Sequence, residues 1–237
     1  MTAPPRLLAA IFDMDGTLVD NMRFHSEAWV SISRRLGVEA TAERFEREFA
    51  GKKNEEIFPL LLGRPVPSEE LALLALEKET HYRTLYTPHL ALMRGAEDFI
   101  ARLRAAEVRL AVATASPTEN RQLVLDGLGI RSTFARVVGA EEVVHGKPAP
   151  DIFLAAARDI GVEPAACVVF EDALNGIRAA RAAGMMAVGI TSTTPPELLR
   201  EAGAHWTAPD FASLPPELEA LLRTSPHGKG ASREDVV

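Results

Sequence analysis

The chain has 237 residues, of which 47% are apolar and 25% charged, and its net charge is −7. That length can bury one large core or two modest ones. An acidic balance with no basic stretch argues against nucleic-acid binding, which needs a positive face for the phosphate backbone.

The segment 1–6 is short and proline-bearing and lacks the shape of a signal peptide. Residues 7–12, Leu-Leu-Ala-Ala-Ile-Phe, are wholly apolar and predict a strand covered on both faces. Over the next hundred residues no further strand is evident. Helical patterns run instead over 23–36, 42–50, 54–62 and 68–85, too much chain for one crossover. Residues 20–88 are therefore expected to form a separate helical subdomain, inserted into a core of 1–19 and 89–223. From there strands and helices alternate. Strands are expected at 110–115, 136–140, 166–170 and 186–191, with helices at 96–106, 118–128, 151–160, 173–183 and 195–202. This alternation predicts a parallel sheet with helices on both faces. Gly161, Gly184 and Gly203 stand where helix C-caps belong. The single cysteine, Cys167, lies inside an apolar run and reads as a small buried hydrophobe, which suits a reducing cytosol. No run of about 18 apolar residues exists, so no membrane span is expected and the chain is placed in the cytoplasm. The polar tail 224–237 is expected to be disordered.

Ligands of open parallel sheets bind beyond the carboxyl ends of the strands, so the residues after each apolar run carry the chemistry. Asp13 and Asp15 are two apart on an extended chain and point the same way; Gly16 permits a sharp turn. Adjacent carboxylates repel unless one is protonated or a cation lies between them. A hard divalent cation answers that, and Mg²⁺ fits when a substrate phosphate completes its shell. Glu171 and Asp172 supply a second pair facing the first, although Asp172 also suits a cap of the next helix. Thr114, Ala115 and Ser116 offer hydroxyl and backbone N–H groups for a phosphate, and Ser116 equally suits a helix N-cap. Lys147, between Gly146 and Pro148, is placed to neutralise Asp13 and a phosphate oxygen together. The set predicts phosphoryl transfer through a covalent intermediate on Asp13, with Asp15 as general acid and then base. Asp13 takes the nucleophile's place because it lies nearer the strand end and is more rigidly held.

These clusters, in this order, resemble the haloacid dehalogenase superfamily of phosphatases and phosphomutases. Its four motifs stand here as Asp13-Met14-Asp15-Gly16-Thr17, Thr114, Lys147-Pro148 and Glu171-Asp172. An aspartate two residues past the nucleophile favours phosphoryl transfer over dehalogenation. The resemblance implies a Rossmann-like parallel-sheet core with an inserted α-helical cap. It also implies Mg²⁺ held by Asp13, the backbone carbonyl of Asp15 and Asp172, with Glu171 in support, and phosphate held by Thr114, the Ala115 backbone and Lys147. Within the superfamily the sequence is similar to the β-phosphoglucomutase-like subgroup, whose cap is matched by His25, Trp29, Gly51 and Lys78. Helical periodicity independently sets His25, Trp29, Ile32 and Leu36 on one face, and Leu71, Leu74, Lys78, Tyr82 and Leu85 on another. A histidine or lysine on such a stripe either snorkels or aims at a cavity.

The chain departs from the mutase pattern in the cap. Where mutases carry Lys-Gly-x-x-Arg to grip a second phosphate, it reads Ala50-Gly51-Lys52-Lys53-Asn54. Thr118 replaces the usual mutase asparagine, with Asn120 close by. The expected function is Mg²⁺-dependent hydrolysis of a phosphomonoester of a small metabolite, above all a sugar phosphate, by a monomer. A sugar-phosphate mutase with the same Asp13 chemistry is the alternative. A non-catalytic phospho-aspartate receiver comes third; it needs neither a helical insertion of this size nor an acid–base group beside its acceptor.

Overall fold

The computed structural model describes residues 7–41, 44–45, 49 and 52–223. The apolar runs become β1 (Ala9–Phe12), β2 (Arg109–Thr114), β3 (Arg136–Gly139), β4 (Cys167–Glu171) and β5 (Met186–Ile190). With β6 (Trp206–Ala208) they form a six-stranded sheet of order β3-β2-β1-β4-β5-β6, every neighbouring pair parallel. Every residue of β1 and β4 is buried, as strands covered on both faces require.

Alternate side chains divide between the faces. Phe12, Val112 and Phe170 enter one cluster, beneath α4 (Ala96–Ala105) and α9 (Pro216–Arg223). Ile11, Ala113 and Val169 enter the other, beneath α6 (Asp151–Asp159) and α7 (Leu174–Ala182). The small β residues on this second face let the alanine-rich helices approach closely. The first face is filled by rings: Phe99 lies 5.2 Å from Phe170 and 5.4 Å from Phe211 between centroids. Between β1 and β2 the chain forms α1 (Met22–Arg35), α2 (Asn54–Leu62) and α3 (Ser68–Tyr86). These share a cluster of their own that includes Trp29, Ile32, Phe58 and Leu74.

Several expectations are modified. β6 and α9 went unrecognised: β6 is a three-residue edge strand, and α9 follows two prolines past the last apolar run. The helix expected over 118–128 divides into α5 (Thr118–Arg121) and a π-wound stretch, Gln122–Asp126. Most of 42–50 and all of 224–237 lie outside the described residues. Among the described residues, no helix is long and apolar enough to cross a membrane.

Because Phe99 is buried among rings from both strands and the C-terminal segment, Phe99→Ala is expected to cost about 3–5 kcal/mol. A lower urea midpoint with unchanged slope would record it.

Candidate active site

Strand order reverses between β1 and β4, where an open parallel sheet leaves a crevice at its carboxyl edge. The register aligns Phe12 with both Val112 and Phe170, so Asp13 leaves β1 level with Glu171. The N–H of Asp13 still donates to the carbonyl of Phe170, at 2.9 Å. Lys147 Nζ donates to Asp13 Oδ1 and Glu171 Oε1, each at 2.6 Å, and all three side chains are buried. The second oxygen of Glu171 accepts the N–H of Ala173 at 2.7 Å, at the start of α7. Gly176 lies against this carboxylate, and any Cβ there would overlap it.

Asp172 is buried beside this pair. Its Oδ1 accepts from Thr17 at 3.4 Å, and Thr193 Oγ1 donates to its Oδ2. Gly16, at φ +75°, presses against Asp172 so closely that a side chain would displace it. Asp172 therefore does not cap α7: Ala173 occupies the N-cap position and Glu171 receives its N–H. Ser116 does not cap α5 either, since Pro117 holds that position. The N–H of Ser116 donates to Thr114 Oγ1 at 3.1 Å, its carbonyl accepts from Arg121 at 2.9 Å, and its hydroxyl donates to Asp15.

Asp15 has different partners from Asp13. It accepts from Asn21 Nδ2 at 2.6 Å, and His25 Nε2 stands 3.7 Å away. Asn21 also bonds Tyr82 at 2.6 Å and receives the N–H of Gly16 at 3.1 Å. The His25 ring stacks on Tyr82 at 3.7 Å between centroids. Lys78 Nζ lies 3.0 Å from His25 Nδ1. An ammonium only donates, so Nδ1 accepts and Nε2 carries the hydrogen, directed at Asp15. Lys78 also pairs with Glu79 Oε1 at 2.9 Å, which Asn54 bonds at 2.9 Å, while Asn120 bonds Glu79 Oε2 at 2.7 Å. Arg83 bonds the Asn120 carbonyl oxygen at 3.0 Å, so one carboxamide of the core is clasped by two residues of α3.

Every candidate site residue named from the sequence, except Gly51, lines a single cavity of about 80 Å³ between sheet edge and insertion. Gly51 lies outside the described residues. The space is well below the several hundred Å³ of ligand-sized pockets. Asn21 and Glu79 escaped the sequence reading. Asn21 sits in an unremarkable turn after the first motif, and Glu79 is off the apolar stripe; its adjacency to Lys78 was the available signal.

Burial raises the Asp13 carboxyl well above the usual range, Lys147 opposes that, and Glu171 and Asp172 reinforce it. Burial likewise pushes Asp172 up to about 8, with Glu171 adding to the shift. For Asp15, burial acts upward but is overcome by His25, Ser116 and Asn21, so its carboxyl is lowered. The four carboxylates expected around one ion all stand at the sheet edge, each with partners in the protein: Asp13 with Lys147, Asp15 with Asn21 and Ser116, Glu171 with Lys147 and Ala173, and Asp172 with Thr17 and Thr193. Among the described residues no three His, Cys, Asp or Glu side chains form an ion-holding group.

The sheet, its switch point and the acids gathered there define a Rossmann-like hydrolase. A sequence model of the haloacid dehalogenase-like hydrolases matches residues 7–184, and the chain belongs to that family. It is an enzyme with phosphatase or phosphotransferase activity, of the branch that holds sugar-phosphate phosphatases and β-phosphoglucomutases. It is 34% identical to the fructose-1-phosphate phosphatase YqaB of Escherichia coli (strain K12), over 78% of this chain and 97% of that one. It is 32% identical to the validoxylamine A 7'-phosphate phosphatase of Streptomyces hygroscopicus subsp. limoneus, over 81% and 90%. The crystal structure of β-phosphoglucomutase from Clostridium difficile superposes with a TM-score of 0.81 at 26% identity, covering 91% of this chain and 97% of that one.

Glu79 gives the fold a pH dependence of its own. Burial acts to raise its carboxyl, but Lys78, His25, Asn54 and Asn120 hold it down at about 2, against 4.5 when free. A depressed acid stabilises the fold above its unfolded value and ceases to as pH falls through the folded one. Glu79 is therefore expected to contribute roughly 3 kcal/mol above pH 4.5, lost between 4.5 and 2. Urea midpoints against pH should show that decline in the wild type and a flatter curve in Glu79→Gln.

Proposed function

We propose that the protein is a Mg²⁺-dependent phosphomonoester hydrolase acting on a small phosphorylated metabolite, a sugar phosphate, through an aspartyl-phosphate on Asp13. Residues 20–88 form its cap, over a core of 1–19 and 89–223. The observation that carries this reading is the buried Lys147 ammonium, 2.6 Å from Asp13 at the carboxyl edge of the sheet. It orients one carboxylate oxygen and leaves the other for attack.

The donor set fits Mg²⁺. Asp13, Asp15, Glu171 and Asp172 line the cavity with Lys147, and the burial that raises Asp13 and Asp172 expresses a shortage of positive charge. Two carboxylates and the Asp15 carbonyl would hold the ion, with water and substrate phosphate completing six ligands. Bound there, it screens the anionic nucleophile from the anionic ester.

An Asp13 oxygen attacks phosphorus in line, the P–O ester bond breaks, and the leaving oxygen takes a proton from Asp15. Water then attacks the phosphoryl group. Asp15 accepts its proton, and inorganic phosphate leaves with Asp13 restored. The N–H groups of the Thr114–Ser116 loop and Lys147 hold the transferring oxygens. His25, itself held by Lys78, stands with Nε2 3.7 Å from Asp15, near enough to favour its charged form.

The likeness to a β-phosphoglucomutase supports one other reading, in which Asp13 returns the phosphoryl group to the sugar. Against it, Lys53 is bonded to the Ala140 carbonyl at 2.9 Å and Asn54 to Glu79, so neither offers a charge to a second phosphate.

Phosphate release from a panel of phosphorylated metabolites is expected with Mg²⁺ and lost with EDTA. Asp13→Asn, close to isosteric, should lower turnover about 10³-fold or more with the fold intact. Asp15→Asn should slow it strongly and accumulate phospho-Asp13, visible by intact mass. Wild-type turnover in Asp13→Asn would exclude this nucleophile. Conversion of a hexose 1-phosphate to its 6-phosphate, in place of free phosphate, would favour the mutase.

A further inference from the structure

We propose that Glu79 and Asn54 form a hydroxyl-recognising subsite on the cap side of the cavity. It takes the uncharged polyol part of a monophosphate and turns away a second phosphoryl group. The inference rests on the phosphatase reading for the phosphate end of the ligand.

Glu79 is 5% exposed, yet it lines the cavity. A carboxylate has about four acceptor positions. Lys78 and Asn54 occupy Oε1 and Asn120 occupies one position on Oε2, which leaves a position on Oε2. Asn54 gives an N–H to Glu79, and its carbonyl oxygen has no partner among the described residues. Two acceptors thus stand on one wall, with the ring of Trp29 and the side chain of Ile57 lining the same cavity. Acceptors set among apolar surface match a polyol, whose O–H groups donate and whose C–H faces pack on rings. A phosphoryl group brings only acceptors and negative charge, against a carboxylate that its own bonds keep ionised at neutral pH.

The cavity's cations do not reverse this balance. Lys147 serves Asp13 and Glu171, Lys78 serves Glu79 and His25, and Lys53 is turned to Ala140. Lys52 is the remaining cavity lysine, half-buried and with no side-chain partner among the described residues. A second phosphate would have to bind Lys52 while facing Glu79. Glu79 is also more than a counter-ion for Lys78, because two carboxamides orient it as well. A counter-ion alone would affect every substrate alike; a recognition group changes their ranking.

The test compares a hexose 1-phosphate, a hexose 1,6-bisphosphate and an aryl phosphate without hydroxyls. The wild type is expected to favour the monophosphate over the bisphosphate by at least about tenfold in kcat/KM. Glu79→Gln should narrow that to about threefold or less, and should lower the monophosphate relative to the aryl phosphate by about tenfold. Asn54→Ala should lower the same monophosphate-to-aryl ratio severalfold, which keeps the test intact should Glu79→Gln fold poorly. A wild-type preference for the bisphosphate overturns the proposal, as does a change of all three esters by one common factor in both variants. Equilibrium binding to Asp13→Asn separates the two readings. If the wild type turns over no ester but the monophosphate binds Asp13→Asn at least about tenfold tighter than the bisphosphate, the hydrolase reading falls and the subsite stands. Equal binding of the two removes the subsite.

Discussion

A buried ammonium is tolerated only where opposite charge and hydrogen bonds replace its water. Lys147 meets that demand with Asp13 and Glu171 at 2.6 Å each, from the ends of the two strands that flank the switch point. Its loop joins β3 to α6, and the ammonium also lies 3.5 Å from the Ala113 carbonyl of β2. One side chain thus ties three adjacent strand ends to a loop far along the chain. Remove either carboxylate and a charge is left stranded; remove the lysine and the acids repel with nothing between them. The placement of Asp172 depends on the same arrangement, since Gly16, Thr17 and Thr193 can pack around it only while the strand ends hold register.

Asp13 and Asp15 are two residues apart, and their surroundings drive them in opposite directions, one raised and one lowered. The two carboxyls therefore meet a substrate from unlike surroundings, Asp13 beside a lysine among other buried acids and Asp15 among neutral donors. Part of the separation comes from the segment between β1 and β2. Asn21 and His25 belong to the segment entering α1 and to α1 itself, and Lys78, Tyr82 and Glu79 stand on α3. In the proposed cycle a lowered Asp15 is ready to accept the proton of water. To donate one earlier it must first exchange a partner for the substrate. The hydroxyl of Ser116 is the natural one to yield, because it belongs to the loop that receives the phosphate.

The sheet and its acidic edge were readable because their signals are local. A run such as 7–12, apolar throughout, has few other uses, and an acid directly after it can only lie at the strand's carboxyl end. The helical insertion was readable too, because no strand pattern interrupts the helical periods between the first two strands. What escaped depends on distant chain. Glu79 reads locally as one more surface acid; its burial comes from Asn54 and from Asn120, 41 residues away. Asn21 gains its role only when Tyr82 arrives 61 residues later. β6 is three residues long, too short for alternation to register. The π-wound stretch Gln122–Asp126 is a shift of backbone hydrogen bonding that leaves no mark on side-chain pattern.

The two walls of the cavity carry different charge. On the sheet side, four carboxylates stand with one ammonium, which bonds two of them, a deficit of positive charge that an added cation would relieve. On the cap side, Glu79 answers Lys78 within a closed set of hydrogen bonds. That second wall has little charge to offer and several oriented dipoles. A ligand matched to both is anionic at one end and hydroxylated at the other. An arginine in the place of Asn54 would change the cap wall into a second anion site, but the carboxamide can instead bond Glu79 without adding charge. The same substitution thus explains why Glu79 is satisfied on this wall, and it is the feature on which the proposed release of phosphate, in place of its return, depends.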